Sequence, residues 1–333
     1  MILVTGGTGL VGAHLLLQLT GKGETIRALY RSTASVEKTK KLFAHHKKQD
    51  VFHTIEWVKG DILDIPSLED AFAGVDHVYH CAAFISFDPR DEEQIRKTNI
   101  EGTANMVNLS LGYGIKKFCH VSSIAALGDT KEDGDTITEE TEWNPEVRHG
   151  DYALAKYGAE MEVWRAWQEG LKVVVVNPGL IFGYGFWDQG SGAIFHAVHR
   201  GQYFYTYGTC GMVAVEDVIN VMLHLMEKDI SGERYTLVSD NLSYKELLDA
   251  IADGMQKKRP SIYATKFMAG FGWRMDWLLS KLLMRKRMLT RGMARSSYAT
   301  DKYSNDKIIA ETGYVFKPIK PYVKMLSQSY QKL

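Results

Sequence analysis

The chain is 333 residues long, with 40 Lys+Arg against 40 Asp+Glu and a formal net charge of zero. Apolar residues make up 45% of it and charged residues 24%, which is ordinary for a globular protein with a substantial core. This composition excludes a disordered, collagen-like or coiled-coil chain. The balanced charge also argues against a nucleic-acid binder that depends on a strong basic field.

Cysteine usage and the N-terminus favour a cytoplasmic protein. Cys81, Cys119 and Cys210 are widely spaced and odd in number, so no disulfide framework can be drawn and reduced thiols are expected. Met1 is followed at once by an apolar run and a glycine-rich turn, without the basic start of a signal peptide. No stretch reaches the roughly 18 uninterrupted apolar residues of a membrane span.

The first half of the chain alternates short β-branched runs with helical patterns. In chain order we predict a strand at 2–5, a helix at 10–21, strands at 25–30 and 55–59, a helix at 67–73, a strand at 75–81, a helix at 92–113, a strand at 117–122, a helix at 152–169 and a strand at 173–177. This alternation is typical of βαβ units and predicts a Rossmann-type, doubly wound parallel sheet with helices on both faces.

Beyond Pro178 the alternation weakens. The pattern predicts helices near 215–227, 244–255 and 306–311, and a short strand near 234–238. We therefore expect a dinucleotide-binding domain over 1–178 and a smaller α+β substrate lobe over 179–333 that is interleaved with it.

The segment TGGTGLVG at 5–12 lies between the first strand and the first helix. Gly6 allows a tight turn, Gly9 lets the backbone approach a pyrophosphate, and Gly12 lets the helix pack close to the strand. The positive end of the helix dipole then faces the phosphates. We assign this turn to a dinucleotide, with the cofactor contacts Gly6, Thr8, Gly9, Leu10, Val11 and Gly12.

The second strand indicates which dinucleotide binds. NAD sites usually carry an acidic residue about 20 residues after the glycine turn, yet no Asp or Glu lies between 25 and 36. Arg31 stands where a guanidinium could grip a 2′-phosphate, with help from Ser32 and Lys38. This favours NADP over NAD, whereas stacking of Arg31 on adenine would leave the preference open. Asp61 and Ile62, after the third strand, are expected at the adenine ring.

Tyr152 and Lys156 are four residues apart, which places the phenol and the ammonium on one helix face. A nearby cation favours phenolate, so we expect the pKa of Tyr152 to be lowered toward working pH. Ser122 and Ser123 end the fifth strand, at the carboxyl edge of the sheet, where a serine can bond a substrate oxygen. Asn99 lies within the long predicted helix and needs polar partners, either a proton-relay water or a structural hydrogen bond.

Taken together, these motifs resemble a known family. The chain is similar to extended short-chain dehydrogenases/reductases of the NAD(P)-dependent epimerase/dehydratase superfamily in TGGTGLVG, Asp61, HCAA at 80–83, NIEGT at 99–103, VSSIAALG at 121–128, YALAK at 152–156 and NPGLIFG at 177–183. The resemblance implies that Tyr152 is the general acid/base, Lys156 holds the nicotinamide ribose, Ser123 is the catalytic serine and Asn99 the relay asparagine. It also implies that Ala82 and Ala83 line the nicotinamide ribose and Pro178 the nicotinamide face.

Within that superfamily the chain looks most like the dihydroflavonol-reductase and 3β-hydroxysteroid-dehydrogenase-like branch. This implies hydride transfer between nicotinamide and a ketone, aldehyde or secondary alcohol on a hydrophobic substrate. Aromatic residues after the strand ends predict an apolar pocket, and we expect substrate contacts from Phe84, Ser86, Phe182 and Trp187. Packing between the lobes is the alternative explanation for these aromatic residues.

The segment 267–295 combines apolar and aromatic residues with many cations. It suits an amphipathic lid, a contact with a membrane surface, or a grip on an anionic substrate tail such as coenzyme A. The plain alternative, lobe helices with a solvated basic face, is favoured over membrane contact.

No metal site is predicted, because His77 and His80 point to opposite faces of a strand and no cluster has zinc-like spacing. Two other functions stay open. An NDP-sugar epimerase or dehydratase with tightly bound NAD is disfavoured by Arg31 and the apolar pocket. A non-catalytic NADP-binding regulator is disfavoured by Tyr152 and Lys156. A homodimer through helices 92–113 and 152–169 is implied by the resemblance alone.

Overall fold

The computed structural model describes residues 1–130, 135–285, 287 and 289–331. The strands are β1 (Ile2–Thr5), β2 (Ile26–Tyr30), β3 (Glu56–Lys59), β4 (His77–His80), β5 (Lys117–Val121), β6 (Thr136–Ile137), β7 (Val173–Pro178), β8 (Leu180–Phe182), β9 (Phe204–Tyr205), β10 (Thr209–Ala214), β11 (Glu233–Leu237), β12 (Asp240–Ser243), β13 (Ile262–Tyr263) and β14 (Lys302–Tyr303). 

The α-helices are α1 (Leu10–Leu19), α2 (Thr33–His45), α3 (Gln49–Phe52), α4 (Ile65–Phe72), α5 (Glu92–Arg96), α6 (Gly102–Gly112), α7 (Asp151–Gln168), α8 (Gly192–His199), α9 (Val215–Glu227), α10 (Tyr244–Gly254), α11 (Lys266–Leu282), α12 (Arg291–Ser296), α13 (Asp306–Thr312) and α14 (Ile319–Tyr330). Within the described ranges, none of them has the length and apolar character needed to cross a bilayer.

Seven parallel strands form the main sheet in the order β11-β7-β5-β4-β1-β2-β3. Ile2 pairs with Ile26 on one side and with His77 on the other, so the strand order reverses between β1 and β4. Ligands bind in such folds in the crevice at this reversal, outside the carboxyl ends of the strands. The predicted doubly wound parallel sheet is confirmed.

Two apolar layers cover the main sheet. Leu16 of α1 and Met222 of α9 belong to a buried cluster on one face, and Met106 of α6 and Val163 of α7 to the cluster on the other. Strand β7, next to the edge strand β11, is buried at all its positions. A strand covered on both faces needs a continuous apolar run, which explains the valines at 173–176.

Some elements differ from the sequence-based prediction. The predicted helix 92–113 is α5 and α6 joined by a π-helical turn at Lys97–Glu101. Helix α2 was not predicted, because it is mostly polar and buries only three residues. Strand β11 pairs with β7, so a strand beyond residue 178 completes the main sheet.

A second lobe is built around the three-stranded sheet β12-β10-β8. Helices α8, α10 and α14 pack with it around Phe195, Leu247 and Val323. Strand β8 follows β7 directly, which anchors this lobe beside the carboxyl edge of the main sheet.

Candidate active site

The glycine turn between β1 and α1 is tightly packed against neighbouring backbone. Gly6 has φ +68°, and a Cβ there would lie 2.7 Å from the backbone of Cys81 and Ala82. A Cβ on Gly12 would collide with the carbonyl oxygen of Gly6. Gly9 stands at the N-terminus of α1, and its N–H donates to the Gly6 oxygen at 2.9 Å. The turn therefore allows a ligand to approach the backbone where side chains would block it.

The N-terminus of α1 is suited to a pyrophosphate. Neither a side-chain cap nor an acidic residue occupies its first turn, so the N–H groups there have no carboxylate competing for them. Half-exposed residues surround this end of the helix at the sheet edge: Gly6, Thr8, Gly9, Leu10 and Val11. The residues present fit the phosphates of a dinucleotide.

The predicted adenosine contacts lie at the ends of β2 and β3. Arg31 is exposed directly after β2, and Ser32 is the N-cap residue of α2. Lys38 is ion-paired with Asp188 at 2.6 Å, so its ammonium is engaged with the second lobe. Asp61 is half-buried and its carboxylate accepts the N–H of Leu63 at 3.0 Å. Ile62 is buried and offers little surface to a ligand.

Tyr152 lies in the first turn of α7, and its phenol lies beside the hydroxyl of Ser123. Ser123 follows β5 at the carboxyl edge, where its Oγ also accepts the N–H of Ala125 at 3.2 Å. Burial raises the pKa of Tyr152, and the neighbouring Ser123 hydroxyl opposes that shift. The expectation of a lowered phenol pKa is wrong, because the cost of burying a phenolate dominates.

Lys156 lies one turn further along α7 and is buried. Its ammonium donates to the carbonyl oxygen of Val121 at 3.0 Å. Burial lowers its pKa to about 8, against the opposing attraction of Cys81 and Glu160. Lys156 thus faces the end of β5, beside the Ser123 loop.

Asn99 is in the π-helical turn, and its side chain holds a strand-like loop. Its Oδ1 accepts the N–H of Phe84 at 2.7 Å, and its Nδ2 donates to the Phe84 carbonyl at 3.0 Å. Of the two alternatives, the side chain forms the structural hydrogen bond. Its amide thereby positions the loop after β4, and the relay role of Asn99 stays a prediction.

Glu160, one further turn along α7, was missed by sequence reasoning. Its fully buried carboxylate accepts hydrogen bonds from Ser122 at 2.6 Å and Asn177 at 2.8 Å, and it pairs with Arg234 at 3.1 Å. Asn177 also donates to the carbonyl oxygen of Ser123. The signal was the continued spacing of four after Lys156, which puts residue 160 on the same face.

The residues expected at the nicotinamide follow β4 and β7. Ala82 and Ala83 are half-buried at the carboxyl edge, and the N–H of Ala82 donates to Thr5 Oγ1 at 3.2 Å. Thr5 bonds His80 at 2.7 Å, and burial lowers the pKa of His80 to about 3. A neutral histidine therefore links β1 to β4 here. Pro178 is the last residue of β7 and is buried.

Three of the four predicted substrate contacts are engaged elsewhere. Phe182 is 0% exposed in the core of the second lobe, against Phe195. Trp187 packs edge-on against Phe195 and Tyr330 in the same cluster. The hydroxyl of Ser86 donates to Asp91 at 2.7 Å. Packing and the local turn use these groups, so the geometry does not favour a substrate contact at these three positions, and the assignments stay predictions.

The apolar residues near Tyr152 come from the loop after β4. Phe84 is half-buried there, and Phe87 is exposed with its ring 5.7 Å from the Tyr152 ring. Ile85 is also exposed. Among the described residues, no group of three His, Cys, Asp or Glu side chains is arranged to hold a metal.

Comparison with known proteins agrees with this geometry. Residues 2–237 match the model of the NAD dependent epimerase/dehydratase family. Sterol demethylase protein B of Methylococcus capsulatus is 28% identical over 308 residues, which are 91% of this chain and 88% of that protein. A putative dihydroflavonol 4-reductase of Synechocystis sp. is 31% identical over 253 residues, 74% of this chain and 69% of that protein.

Solved structures share the whole architecture. The crystal structure of gox2253 has a TM-score of 0.82 and 27% sequence identity, and the match covers 100% of this chain and 98% of that one. The resemblance expected from the motifs is thereby confirmed. The chain belongs to the NAD dependent epimerase/dehydratase family and is an NAD(P)-dependent oxidoreductase.

Proposed function

We propose that this enzyme transfers hydride between a nicotinamide and a ketone, aldehyde or secondary alcohol on a hydrophobic substrate, with Tyr152 as general acid/base. The observation that carries the proposal is that the Tyr152 phenol and the Ser123 hydroxyl are neighbours at the carboxyl edge, one helical turn from Lys156. A bound nicotinamide supplies the hydride.

The side chains then have separate tasks. The raised pKa of Tyr152 keeps its phenol protonated at neutral pH, so it can donate a proton to a carbonyl oxygen. Ser123 holds that oxygen by a hydrogen bond. Lys156 brings a positive charge beside the forming alkoxide and a donor for the nicotinamide ribose. In the reverse direction Tyr152 accepts the alcohol proton.

We infer that NADP is the preferred dinucleotide. Arg31 is exposed at the end of β2, and no acidic residue stands between 25 and 36 to bond a ribose 2′-hydroxyl. A guanidinium binds a 2′-phosphate by two parallel hydrogen bonds. Ala82, Ala83 and Pro178 are assigned to the nicotinamide end of the crevice.

The hydrophobic substrate is supported by the surroundings of Tyr152. The loop after β4 exposes Ile85 and Phe87, and the Phe87 ring lies 5.7 Å from the Tyr152 ring. The similar proteins named as sterol demethylase protein B and as a putative dihydroflavonol 4-reductase also point to apolar or polycyclic substrates.

We also infer a cytoplasmic location and a homodimer. The three cysteines are free thiols, as a reducing compartment requires. Helices α6 and α7 pack side by side, and α7 leaves Leu154, Met161 and Trp167 exposed for a second copy. Light scattering measures whether the protein is a dimer. If the Met161→Glu variant has the mass of a monomer, the dimer interface includes α7.

NADPH consumption is the direct test of the reaction. The panel contains lipophilic ketones and aldehydes, acyl-CoA thioesters and 4-keto sugar nucleotides. Tyr152→Phe is compared with Tyr157→Phe, since Tyr157 lies on the same helix with its ring stacked on Trp143. We expect consumption with a lipophilic carbonyl that falls by roughly 10²–10⁴ in Tyr152→Phe only. Full activity of the Tyr152→Phe variant would show that Tyr152 is not the general acid/base. If only the sugar nucleotides were turned over, with NAD that does not exchange, the enzyme would be an epimerase and the reductase proposal would be wrong.

A further inference from the structure

Helix α11 presents its apolar side outward. Phe267, Phe271, Leu278 and Leu282 recur at intervals of four, seven and four residues and are all exposed, Phe267 at 84% and Leu282 at 75%. At about 100° per residue they form one narrow stripe on the helix surface. A surface helix of a water-soluble protein turns such a stripe toward the core.

The opposite side of α11 faces the protein and is polar. Asp276 is 8% exposed and Ser280 is 5% exposed, and these are the helix's buried residues. The Asp276 carboxylate is ion-paired with Arg285 at 2.7 Å and accepts the N–H of Leu289 at 3.1 Å. Because this polar attachment fixes the rotation of the helix, the apolar stripe cannot turn inward.

A basic edge runs beside the apolar stripe. Residues 257–300 contain eleven Lys and Arg and a single acidic residue, Asp276. Asp276 is buried and ion-paired with Arg285. Lys266, Arg291 and Arg295 line an open groove of about 490 Å³ between α11 and α12, together with Trp273 and Tyr298. Cations and aromatic rings beside an apolar stripe are the composition of a helix that lies in a membrane interface.

More exposed aromatic residues adjoin the N-terminal end of α11. Strand β13 immediately precedes the helix and pairs with β9, which brings Tyr263 beside Tyr205. Ile262, Phe204 and Tyr203 are exposed there. The apolar surface therefore extends beyond one helix.

This surface is connected to the candidate active site. The carbonyl oxygen of Arg285 accepts a hydrogen bond from Arg90 at 3.4 Å, and the N–H of Arg287 donates to Asp88 at 3.4 Å. Both partners belong to the loop after β4, whose Phe87 ring lies 5.7 Å from Tyr152. The segment after α11 thus abuts the loop that borders Tyr152.

We propose that the outer face of α11, with the basic groove beside α12, docks on the surface of an anionic phospholipid bilayer. The apolar stripe enters the acyl boundary, and the cations meet the lipid phosphates. A second copy of the chain is a poorer occupant, because the basic edge would face an equally basic one. Resting on the proposed function, the docking also lets a membrane-dissolved carbonyl compound reach Tyr152 past the loop at 84–90.

Vesicle flotation tests the docking. Wild type is mixed with vesicles of phosphatidylcholine alone and of phosphatidylcholine and phosphatidylglycerol in equal parts. We expect it to float with the anionic vesicles, and the triple variant Phe267→Ser/Phe271→Ser/Leu282→Ser to lose roughly tenfold or more in bound fraction. Arg291→Glu/Arg295→Glu should lose binding in the same way, and added salt should weaken the wild type. Val315→Ser/Met325→Ser removes exposed apolar residues elsewhere and should float like wild type.

Each result has a defined meaning. Failure of the wild type to float with the anionic vesicles overturns the docking. The docking is also overturned if the wild type does not float and light scattering shows that it is a dimer which the triple variant converts to a monomer. The outer face of α11 would then bind a second copy of the chain. Turnover of a short, water-soluble ketone without vesicles reports on the oxidoreductase alone. Unchanged turnover in a triple variant that no longer floats shows that the variant is folded and supports the proposal.

Discussion

The buried carboxylate of Glu160 accepts a 2.6 Å hydrogen bond from Ser122, the residue directly before Ser123. The same carboxylate is paired with Arg234 of β11, which also donates to the Glu139 carbonyl at 2.9 Å. With Asn177 of β7 as a further donor, side chains from β7, from β11 and from the residue after β5 meet α7 at one carboxylate. This network holds the Ser123 loop in reach of Tyr152.

We predict that Glu160→Gln destabilises the protein by about 3–5 kcal/mol, because it leaves the Arg234 charge without its buried partner. Urea unfolding measures the change. Glu162→Gln is the matched control, since Glu162 is on the same helix and pairs with Arg165 near the surface, where an ion pair contributes at most about 1 kcal/mol. Equal effects of the two substitutions would contradict the structural role of Glu160.

Arg31→Ala should weaken NADPH binding by roughly 10–100-fold and leave NADH binding nearly unchanged, because only NADPH carries the 2′-phosphate. Fluorescence titration with both dinucleotides measures this ratio. Lys40→Ala removes an exposed cation from α2 and should change neither affinity. If Arg31→Ala weakened both dinucleotides equally, the guanidinium would act on adenine and the preference for NADP would have to be dropped.

Lys156→Met should abolish turnover and yet stabilise the cofactor-free protein at pH 7. The pKa of Lys156 is lowered from 10.5 to about 8 in the folded protein. Below pH 8 the folded protein therefore contains a buried ammonium, which lowers its free energy of unfolding. Between pH 8 and 10.5 the unfolded chain binds the extra proton, and wild-type stability therefore rises with pH in that window. The gain from Lys156→Met, at most about 3 kcal/mol, should shrink as pH rises.

Urea unfolding of both proteins at pH 7 and pH 9.5 follows that gain. Lys281→Met is the control, because Lys281 is exposed at the end of α11. A stability difference between wild type and Lys156→Met that is the same at both pH values would refute the buried-ammonium explanation.

Gly12→Ala should destabilise the protein by about 1–3 kcal/mol and weaken binding of both dinucleotides, because the added methyl would push α1 away from the Gly6 carbonyl. Thermal unfolding and dinucleotide titration measure the two effects. Gly112→Ala places a methyl in open space at the end of α6 and should cause no loss. Normal dinucleotide affinity in Gly12→Ala would show that the close approach is not needed.

The local signals in the sequence were sufficient for the main sheet and the phosphate turn. A run of four valines at 173–176 is typical of a strand that is buried on both faces of a sheet. The glycines at 6, 9 and 12 mark a turn that side chains would block. The spacing of four between Tyr152 and Lys156 places both on one helix face. Each of these features depends on residues close together in the chain.

The substrate-side residues could not be predicted in the same way. Phe182 and Phe87 are both aromatic residues beyond a strand end, yet one is fully buried against Phe195 and the other lies exposed beside Tyr152. Their positions depend on where β8 joins the second sheet and on Asn99 holding the loop after β4. No local pattern records such long-range contacts.

The same division applies to the whole protein. The doubly wound fold, the dinucleotide turn and the tyrosine–lysine pair can be predicted from the residues in order, because backbone geometry and helical spacing follow from neighbouring residues. The raised pKa of Tyr152, the Glu160 network and the outward apolar face of α11 follow only from the folded chain. Those properties arise from burial and from partners far away in the chain, such as Arg234 for Glu160.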